Sequence, residues 1–303
     1  MADSESRWWD ALYGPGGFFA RGELPARHFR TSPLVGPELA EALLVLLARV
    51  DTALGEPAAL DFVDVGAGGG ELAGAVRALA TGDLARRLRV TAVDLGPARS
   101  VPGVRWRRDL PATAVGLLVG HEWLDAVPCP VVEGPSEDPW LRSWWPVEAG
   151  ERAEVGSPRD EAWADAVGRV RGAALAVDYG HLRADRAAGR YRAGTLAGYR
   201  DGRRVEPVLD GSCDVTAHVA LDACAAAAGG DHVLVSQRDA LGVLLPEVVA
   251  GGSPLDWLDA TARNGRVAEL RAVGGLGDFG WLLHATGGVR TADLLPPLPA
   301  WRP

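Results

Sequence analysis

The hydrophobic and polar positions along the chain predict alternating helices and strands. Residues 36–50 repeat apolar side chains at helical spacing, and residues 70–80 do the same directly after a short apolar run. Continuous apolar runs, typical of strands buried in a parallel sheet, occur at 60–65, 88–94, 115–120 and 173–178. This alternation predicts an α/β fold with a Rossmann-like, doubly wound parallel sheet.

Three segments depart from the regular pattern. Residues 1–56 combine a Gly/Pro-rich stretch with the first helix, and we expect them to cap the site of a domain spanning 57–303. Residues 128–148 have the composition of a hairpin, and 181–217 form a long insertion rich in arginine and glycine. Insertions of this length in a compact fold are often lids or binding loops.

The last third of the chain returns to a mixed pattern. Residues 218–271 are expected to be mostly helical, apart from a short apolar run at 232–236. A final strand is expected within 279–287.

Composition narrows the possible chemistry. All 31 basic residues of the chain are arginine, which excludes a phosphate-binding or Schiff-base lysine. A net charge of −9 argues against a nucleic-acid or anionic membrane surface. The cysteines are scattered at Cys129, Cys213 and Cys224, which argues against a disulfide framework and a metal site. With no apolar leader or long apolar run, the chain is expected to be cytoplasmic and without a membrane span.

A glycine-rich loop follows the first predicted strand in the stretch DFVDVGAGGGEL. A nucleoside triphosphate, a dinucleotide or the methionine end of S-adenosylmethionine commonly binds over such a turn. Gly66, Gly68 and Gly70 make a GxGxG pattern, whereas the dinucleotide fingerprint needs glycine at the position of Glu71. Glu71 would repel pyrophosphate at the start of the following helix. S-adenosylmethionine carries an ammonium and a sulfonium cation and no phosphate, so the pattern favours it.

Acidic residues follow the predicted strands. Asp64 precedes the loop and is placed to accept hydrogen bonds from the amino group of the cofactor. Asp94 ends the second strand, where a carboxylate can bind both ribose hydroxyls, although dinucleotide sites use such an acid too. Asp109 is placed near the adenine, but an exposed helix cap is an equally good interpretation.

Several sequence blocks together resemble the MidA-like family of S-adenosylmethionine-dependent methyltransferases. In chain order they include YGPGGFFARG, DVGAGGGELA, GHEWLDAVP, LAVDYGH, GTLAGYRDGRRVEPVLD and DVTAHVALDA, and the match covers about residues 13–285. Mitochondrial members of that family are complex I assembly factors linked to arginine methylation of a complex I subunit. The resemblance implies a class I methyltransferase fold, S-adenosylmethionine as cofactor and a protein substrate.

The resemblance assigns cofactor contacts to Asp64, Gly66, Gly68, Gly70 and Asp94. It also implies that the first residue of the block at 121–128 lies beside the cofactor. That residue is His121 here, where the family usually has Asn. The family's Gly-Asp-Phe in the front block is replaced by residues around Arg27, His28, Phe29 and Arg30.

The stretch HEWLD contains two carboxylates of particular interest. It resembles a zinc-binding HExxH helix, but Asp125 stands in place of the second histidine, so zinc is disfavoured. Glu122 is expected at the carboxyl end of the fourth strand, where ligands bind in open α/β sheets. A protonated arginine acceptor needs neighbouring carboxylates, and we predict that Glu122 and Asp125 are catalytic. Alternatively, Asp125 caps the following helix and Glu122 alone is functional.

Residues at the end of the fifth strand are expected on the same rim. Asp178, Tyr179 and His181 are candidates for substrate binding, although Tyr179 could only pack and His181 could be solvated. In the insertion, Asp214 and Thr216 are expected either to order a lid, to contact a protein substrate, or to start the next helix.

Two functions fit these observations. The first is an S-adenosylmethionine-dependent methyltransferase acting on a protein side-chain nitrogen, with arginine suggested by the resemblance and a small molecule as a variant. The second is an assembly or interaction protein that binds the cofactor without turnover. The oligomeric state and the acceptor do not follow from the sequence.

Overall fold

The computed structural model of the chain describes residues 4–24, 31–246 and 253–303. Its strands are β1 (Leu60–Val65), β2 (Leu88–Val93), β3 (Val104–Arg107), β4 (Ala114–His121), β5 (Val131–Glu133), β6 (Arg152–Glu154), β7 (Val170–Asp178), β8 (Gly180–His181), β9 (Ala197–Arg200), β10 (Arg203–Val205), β11 (Asp214–Thr216), β12 (Val219–Ala220), β13 (Asp231–Ser236) and β14 (Gly280–Ala285). Its α-helices are α1 (Ser4–Tyr13), α2 (Glu38–Ala53), α3 (Glu71–Leu79), α4 (Gly82–Arg87), α5 (Pro139–Trp144), α6 (Ser157–Gly168), α7 (Arg183–Ala187), α8 (Leu221–Ala228), α9 (Gln237–Leu244), α10 (Pro254–Leu270) and α11 (Thr291–Leu294).

A seven-stranded sheet organises the fold, in the order β13-β14-β7-β4-β1-β2-β3. Neighbouring strands from β7 to β3 run parallel, while β14 is antiparallel to both β13 and β7. In the register of the sheet, Val65 is level with Val93 on one side and with Gly120 on the other. The loops that follow β1, β2 and β4 therefore leave the same edge of the sheet, where ligands bind in open α/β folds.

Helices cover both faces of the sheet. Apolar side chains of α2, α3, α9 and α10 pack on one face, where Leu46 and Leu47 of α2 are fully buried. Residues of α6 and α8 pack on the other face, around the buried Trp163. Because both faces are covered, β4 and β7 are almost entirely buried, which explains their continuous apolar sequences.

The predicted fold class is confirmed. The expected strand at 60–65 coincides with β1, and the runs at 88–94, 115–120 and 173–178 correspond to β2, β4 and β7. The runs near 232–236 and 279–287 correspond to β13 and β14, and the helices expected at 36–50 and 70–80 correspond to α2 and α3.

The hairpin expected at 128–148 is wrong in its second strand. β5 pairs antiparallel with β6, which begins only at Arg152, and α5 lies between the two strands. Asp138 starts that helix because its side chain accepts hydrogen bonds from the N–H groups of Trp140 and Leu141, at 2.8 and 3.1 Å. Pro139, at the first helical position, favours the same geometry.

The insertion at 181–217 has secondary structure of its own. It contains α7 and a three-stranded antiparallel sheet in the order β10-β9-β11. The alternative in which Asp214 and Thr216 start a helix is wrong, because both lie in β11 and the next helix begins at Leu221. The pairing of Val215 with Gly198 of β9 determines this conformation.

The front of the chain packs against this insertion. Trp8 and Leu12 of α1 are buried beside Val215, and the Trp8 indole N–H donates to the Val215 carbonyl at 3.0 Å. The boundary expected at residue 56 stays a prediction. The front-block residues Arg27, His28, Phe29 and Arg30 lie outside the described residues.

Within the described ranges, no helix combines the length and the apolar character needed to cross a membrane.

Candidate active site

The glycine loop between β1 and α3 is built on left-handed backbone. Gly66, Gly68 and Gly70 have φ values of 72°, 57° and 83°, which favour glycine because other residues clash there. A Cβ on Gly66 would lie 3.1 Å from the Cβ of Trp123, so the loop also packs closely on the segment after β4. Gly66 and Gly68 both line the cleft at the end of β1.

Asp64 is buried beneath this loop. Its Oδ2 accepts the N–H of Ala73 in α3 at 3.1 Å, and only 2% of the residue is exposed. Burial raises the pKa of Asp64 to about 7, since the charged form loses its solvation and Asp94 lies nearby. A cation in the cleft would favour the ionised form of this carboxyl.

Asp94 holds the glycine loop from the end of β2. One carboxylate oxygen accepts the Gly68 N–H at 2.8 Å, and the other accepts the Gly96 N–H at 2.7 Å. Burial raises the pKa of Asp94, although these two hydrogen bonds oppose the shift. The second predicted acid is thus joined to the loop by direct contact.

Glu122 follows β4 in a strained conformation. Its φ of 49° is uncommon for a residue other than glycine, and its N–H donates to the Val177 carbonyl at 2.8 Å. Burial raises the pKa of Glu122 well above its usual range, and the nearby Asp125 and Asp214 add to the shift. A backbone held in this way directs an acidic side chain into the cleft.

His121 lies beside this acid and is neutral at pH 7. Burial lowers the pKa of His121 to about 4. Its Nδ1 is 3.5 Å from Glu122 Oε1, which is too long for a strong hydrogen bond. Neither His121 Nε2 nor Glu122 Oε1 has a hydrogen-bond partner among the described residues, although both atoms are buried.

Asp125 is positioned by the last residue of β7, Asp178, and by the residue after it, Tyr179. The Tyr179 hydroxyl donates to Asp125 Oδ2 at 2.5 Å and lies 2.7 Å from the Thr216 hydroxyl. Asp178 accepts the N–H groups of Leu124 and Asp125 at 3.1 and 3.2 Å. Burial raises the pKa of Asp125, while the Tyr179 hydrogen bond lowers it. Asp125 Oδ1 remains without a partner in the described part of the chain.

A cleft at this edge of the sheet has two lobes that share Gly66, Gly68 and Glu122. The acidic lobe is lined by residues that include Asp64, Glu71, His121, Asp125, Asp214 and Thr216. The adenosine lobe, named for the cofactor portion that the sequence analysis predicts at Asp94 and Asp109, is lined by residues that include Asp94, Arg99, Arg108, Asp109, Leu110 and Trp123. Phe19 and Leu24 of the front segment line both lobes.

The structure thus brings most of the predicted site residues onto one cleft. Gly70 differs, because a Cβ there would meet Val101 and Trp106, at 2.9 and 3.1 Å, and the cleft walls do not include it. Asp178 and Tyr179 also lie off the walls, since their side chains support Asp125 from below. Direct ligand contacts of these three residues stay predictions.

His181 is separated from the cleft. It lines a small internal cavity with Trp145 and Asp160, and its Nδ1 contacts the Arg186 guanidinium. Burial lowers the pKa of His181 well below its usual range, with Arg186 adding to the shift. The alternative of a solvated His181 is wrong, because 1% of the residue is exposed.

Two important contributions were missed by the sequence interpretation. Arg159 of α6 is 2% exposed and donates to the carbonyls of Asp125, Val127, Ala217 and His218 at 2.7–3.1 Å. Its guanidinium also lies 5.5 Å from the centre of the Trp8 ring. No motif marks this arginine, because its partners are carbonyl groups supplied by distant segments.

The second contribution is the position of Asp214 in the cleft wall, which the sequence did not locate because it left a lid, a substrate contact and a helix start open. It is 1% exposed, and burial raises its pKa well above the usual range, with Asp125 adding to the shift. The signal was the block DVTAHVALDA, but the sequence does not show that β11 lies beside the segment after β4. The Ala217 N–H makes that connection, donating to the Asp125 carbonyl at 3.1 Å.

Comparisons with known proteins identify a related family and related folds. Residues 145–237 match the family model described as "Putative S-adenosyl-L-methionine-dependent methyltransferase". No curated protein matches the chain in sequence.

Solved structures share the fold. A COG1565 superfamily member from Burkholderia thailandensis, bound to S-adenosyl-homocysteine, is 23% identical, with a TM-score of 0.77 over 97% of this chain and 90% of that one. A native structure of a COG1565 superfamily protein from the same organism is 22% identical, with a TM-score of 0.78 and the same coverage. The predicted resemblance to S-adenosylmethionine-dependent methyltransferases is therefore confirmed: the chain has a class I methyltransferase fold, and its residues 145–237 match this methyltransferase family.

Proposed function

We propose that this methyltransferase transfers a methyl group from S-adenosylmethionine to a side-chain nitrogen of a protein, with arginine as the acceptor. The observation that carries the proposal is the acidic lobe, where Glu122, Asp125 and Asp214 each present a buried carboxylate oxygen without a hydrogen-bond partner among the described residues. An arginine side chain is permanently cationic and presents five N–H donors.

The residues around the glycine loop suit S-adenosylmethionine. Asp64 would bind its ammonium group, Asp94 its ribose hydroxyls and Asp109 the region of its adenine, with backbone of Gly66 and Gly68 beside the methionine portion. Asp94 would exchange its hydrogen bond from Gly68 for the ribose contacts. The cofactor supplies a methyl group on a positively charged sulfur.

The same loop is poorly suited to a dinucleotide. A Cβ on Gly69 would collide with the carboxylate of Glu71, so that carboxylate lies over the loop at the start of α3. A pyrophosphate at this position would meet a negative charge instead of free N–H groups. This supports a cofactor without phosphate.

The chain's own residues mainly need to align the acceptor. Correct alignment of two reactants contributes about 7–11 kcal/mol of barrier reduction in favourable cases. As the acceptor nitrogen gains the methyl group, the sulfur–carbon bond breaks with its electron pair left on sulfur, and the nitrogen releases one proton. Glu122 would receive that proton, because it lines the acidic lobe where the acceptor would lie, and burial increases the affinity of its carboxylate for a proton.

The test compares the wild-type protein with Glu122→Gln. We expect both to bind S-adenosylmethionine equally in calorimetry, and only the wild type to transfer a labelled methyl group to arginine-containing peptides. The isosteric amide removes the base without emptying the site. Glu137→Gln, which removes an exposed carboxylate in the 128–148 segment, is the matched control.

The possible outcomes separate the alternatives. Transfer only to small molecules would replace the protein acceptor, and cofactor binding without any transfer would favour an assembly role. Loss of cofactor binding in Glu122→Gln would show that Glu122 binds the cofactor and does not act on the acceptor.

A further inference from the structure

Asp214 comes from a different part of the fold than the other two acids of the acidic lobe. Glu122 and Asp125 follow β4 of the central sheet, whereas Asp214 begins β11 of the insertion. Its Oδ1 has no hydrogen-bond partner among the described residues, although the residue is buried, with only 1% of its surface exposed. A buried carboxylate oxygen without a partner is costly, which indicates that a ligand supplies the missing donor.

Within the ranges 4–24, 31–246 and 253–303, no arginine pairs with this group. The buried guanidinium of Arg159 is occupied by backbone carbonyls. None of the ion pairs formed within the described ranges joins an arginine to Glu122, Asp125 or Asp214. Among the described residues, the Oδ1 atom of Asp214 is therefore available to a donor from a ligand.

We propose that Asp214 is a specificity-determining residue that binds the acceptor guanidinium opposite Glu122 and Asp125, and so selects an arginine over a neutral acceptor. This inference rests on the proposed function. A planar guanidinium has N–H groups along three edges, and carboxylates contributed by two segments can bind more than one of these edges. Thr216, two residues further along β11, is already engaged near the Tyr179 hydroxyl and leaves this role to Asp214.

The experiment measures binding without requiring turnover. N-acetyl-arginine N-methylamide and its citrulline counterpart, a neutral isostere, are titrated by NMR into protein saturated with S-adenosyl-homocysteine. Asp214→Asn is expected to weaken binding of the arginine probe by about tenfold to a hundredfold, the loss typical of a charged hydrogen bond, and to leave citrulline binding unchanged. The affinity for S-adenosyl-homocysteine should stay within about twofold.

Three further variants complete the design. Glu206→Gln removes an exposed carboxylate from the same insertion and should behave like the wild type. Asp214→Glu keeps the charge and should retain the preference for arginine over citrulline. Asp214→Ser provides a second neutral variant if thermal unfolding shows that Asp214→Asn does not fold.

Each unfavourable outcome has a distinct meaning. If the wild type fails to bind the arginine probe, the proposed arginine acceptor is wrong, and the role of Asp214 is wrong with it. If the wild type binds the probe and Asp214→Asn keeps the same preference, only the inference about Asp214 is overturned. Loss of S-adenosyl-homocysteine binding in the variant would instead assign Asp214 to the cofactor.

Discussion

The hydroxyl of Tyr179 donates a 2.5 Å hydrogen bond to the carboxylate of Asp125, and thereby connects the end of β7 to the turn after β4. Both groups are buried, so the hydrogen bond is protected from competition by water. The orientation of the Asp125 carboxylate toward the acidic lobe depends on this contact.

Removal of this hydrogen bond should affect both stability and pH dependence. We expect Tyr179→Phe to lower the free energy of unfolding by about 1–3 kcal/mol, because a buried carboxylate oxygen loses its donor. The pKa of Asp125 should rise further, because the Tyr179 hydrogen bond lowers it in the wild type. Urea denaturation and the pH profile of methyl transfer measure the two effects.

The matched control for that experiment is Tyr191→Phe, whose ring lies against His181 and His218 instead of the cleft. It should leave the pH profile unchanged. Equal effects of the two substitutions would show that Tyr179 acts only through general packing.

The buried Asp64 predicts a stability that falls as pH rises. Its pKa is about 7 in the fold and 3.8 in the reference state, so the folded chain retains a proton that the unfolded chain has lost. The contribution is complete below pH 3.8 and is lost as the pH rises through about 7. Without cofactor, Asp64→Asn should therefore gain stability relative to the wild type between these values, by at most about 4 kcal/mol. Thermal unfolding from pH 4 to pH 8 measures the difference.

An exposed acid provides the opposite control. Hydrogen bonds from Arg87 lower the pKa of Asp83, so its stabilisation is present above the unfolded pKa and is lost as the pH falls through the folded value. Asp83→Asn should cost stability at neutral pH and progressively less in acid. The same slope for both variants would contradict the assignment to burial of Asp64.

The affinity for the cofactor should change with pH as the Asp64 carboxyl titrates. A cationic ammonium beside the carboxyl favours its ionised form, so binding near pH 6 must release the proton held by the unliganded protein. We expect affinity for S-adenosylmethionine to weaken below about pH 7. Calorimetry in buffers of different ionisation enthalpy detects the proton, and its absence in the wild type would contradict the proposed ammonium contact.

A comparison of alanine substitutions at two glycines distinguishes the cost of backbone strain from an effect on ligand binding. Gly66 and Gly55 have nearly equal φ values of 72° and 75°, but a Cβ on Gly66 meets Trp123, whereas a Cβ on Gly55 meets nothing within 4 Å. Each Gly→Ala change should cost about 1–2 kcal/mol from left-handed backbone. Only Gly66→Ala should also weaken S-adenosyl-homocysteine binding, which equilibrium dialysis can measure. If both variants bind it normally, the close packing at Gly66 does not shape the cofactor site.

Replacement of Arg159 should loosen several segments at once. Arg159→Leu leaves the carbonyl groups after β4 and after β11 without their donor, and removes the cation beside Trp8. We expect a loss of about 3–5 kcal/mol, comparable to breaking a buried ion pair. Hydrogen exchange should accelerate in α1 and β11. Arg142→Leu, at an exposed site, should change neither measurement, and protection of α1 that persisted in Arg159→Leu would contradict this role.

The central sheet was predictable because its strands, loops and helices are each determined by short, consecutive stretches of sequence. β1 carries its apolar run, its glycine loop and its helix consecutively in the sequence, and the carboxyl-edge rule then places Asp64, Asp94 and Glu122 together. The rule does not predict that the Asp178 side chain accepts the N–H groups of Leu124 and Asp125. Those N–H groups lie in a short turn after β4, and no hydrophobic periodicity in the sequence predicts such a turn.

The rest of the site depends on contacts between distant segments. Asp214 becomes a wall residue only because β11 pairs with β9 and its neighbour Ala217 bonds to Asp125. Arg159 lies on a helix of otherwise ordinary sequence, and its importance comes from carbonyls contributed by residues 125–127 and 217–218.

The location of Asp214 on the insertion has an evolutionary consequence. The side of the cleft formed after β1, β2 and β4 comes from a different segment of the sequence than the wall formed by β11. Substitutions in the insertion can therefore change the acidic lobe without changing Asp94, which we propose binds the ribose. In related chains, a different sequence in this insertion would present a different wall to the acceptor while the central sheet stays the same.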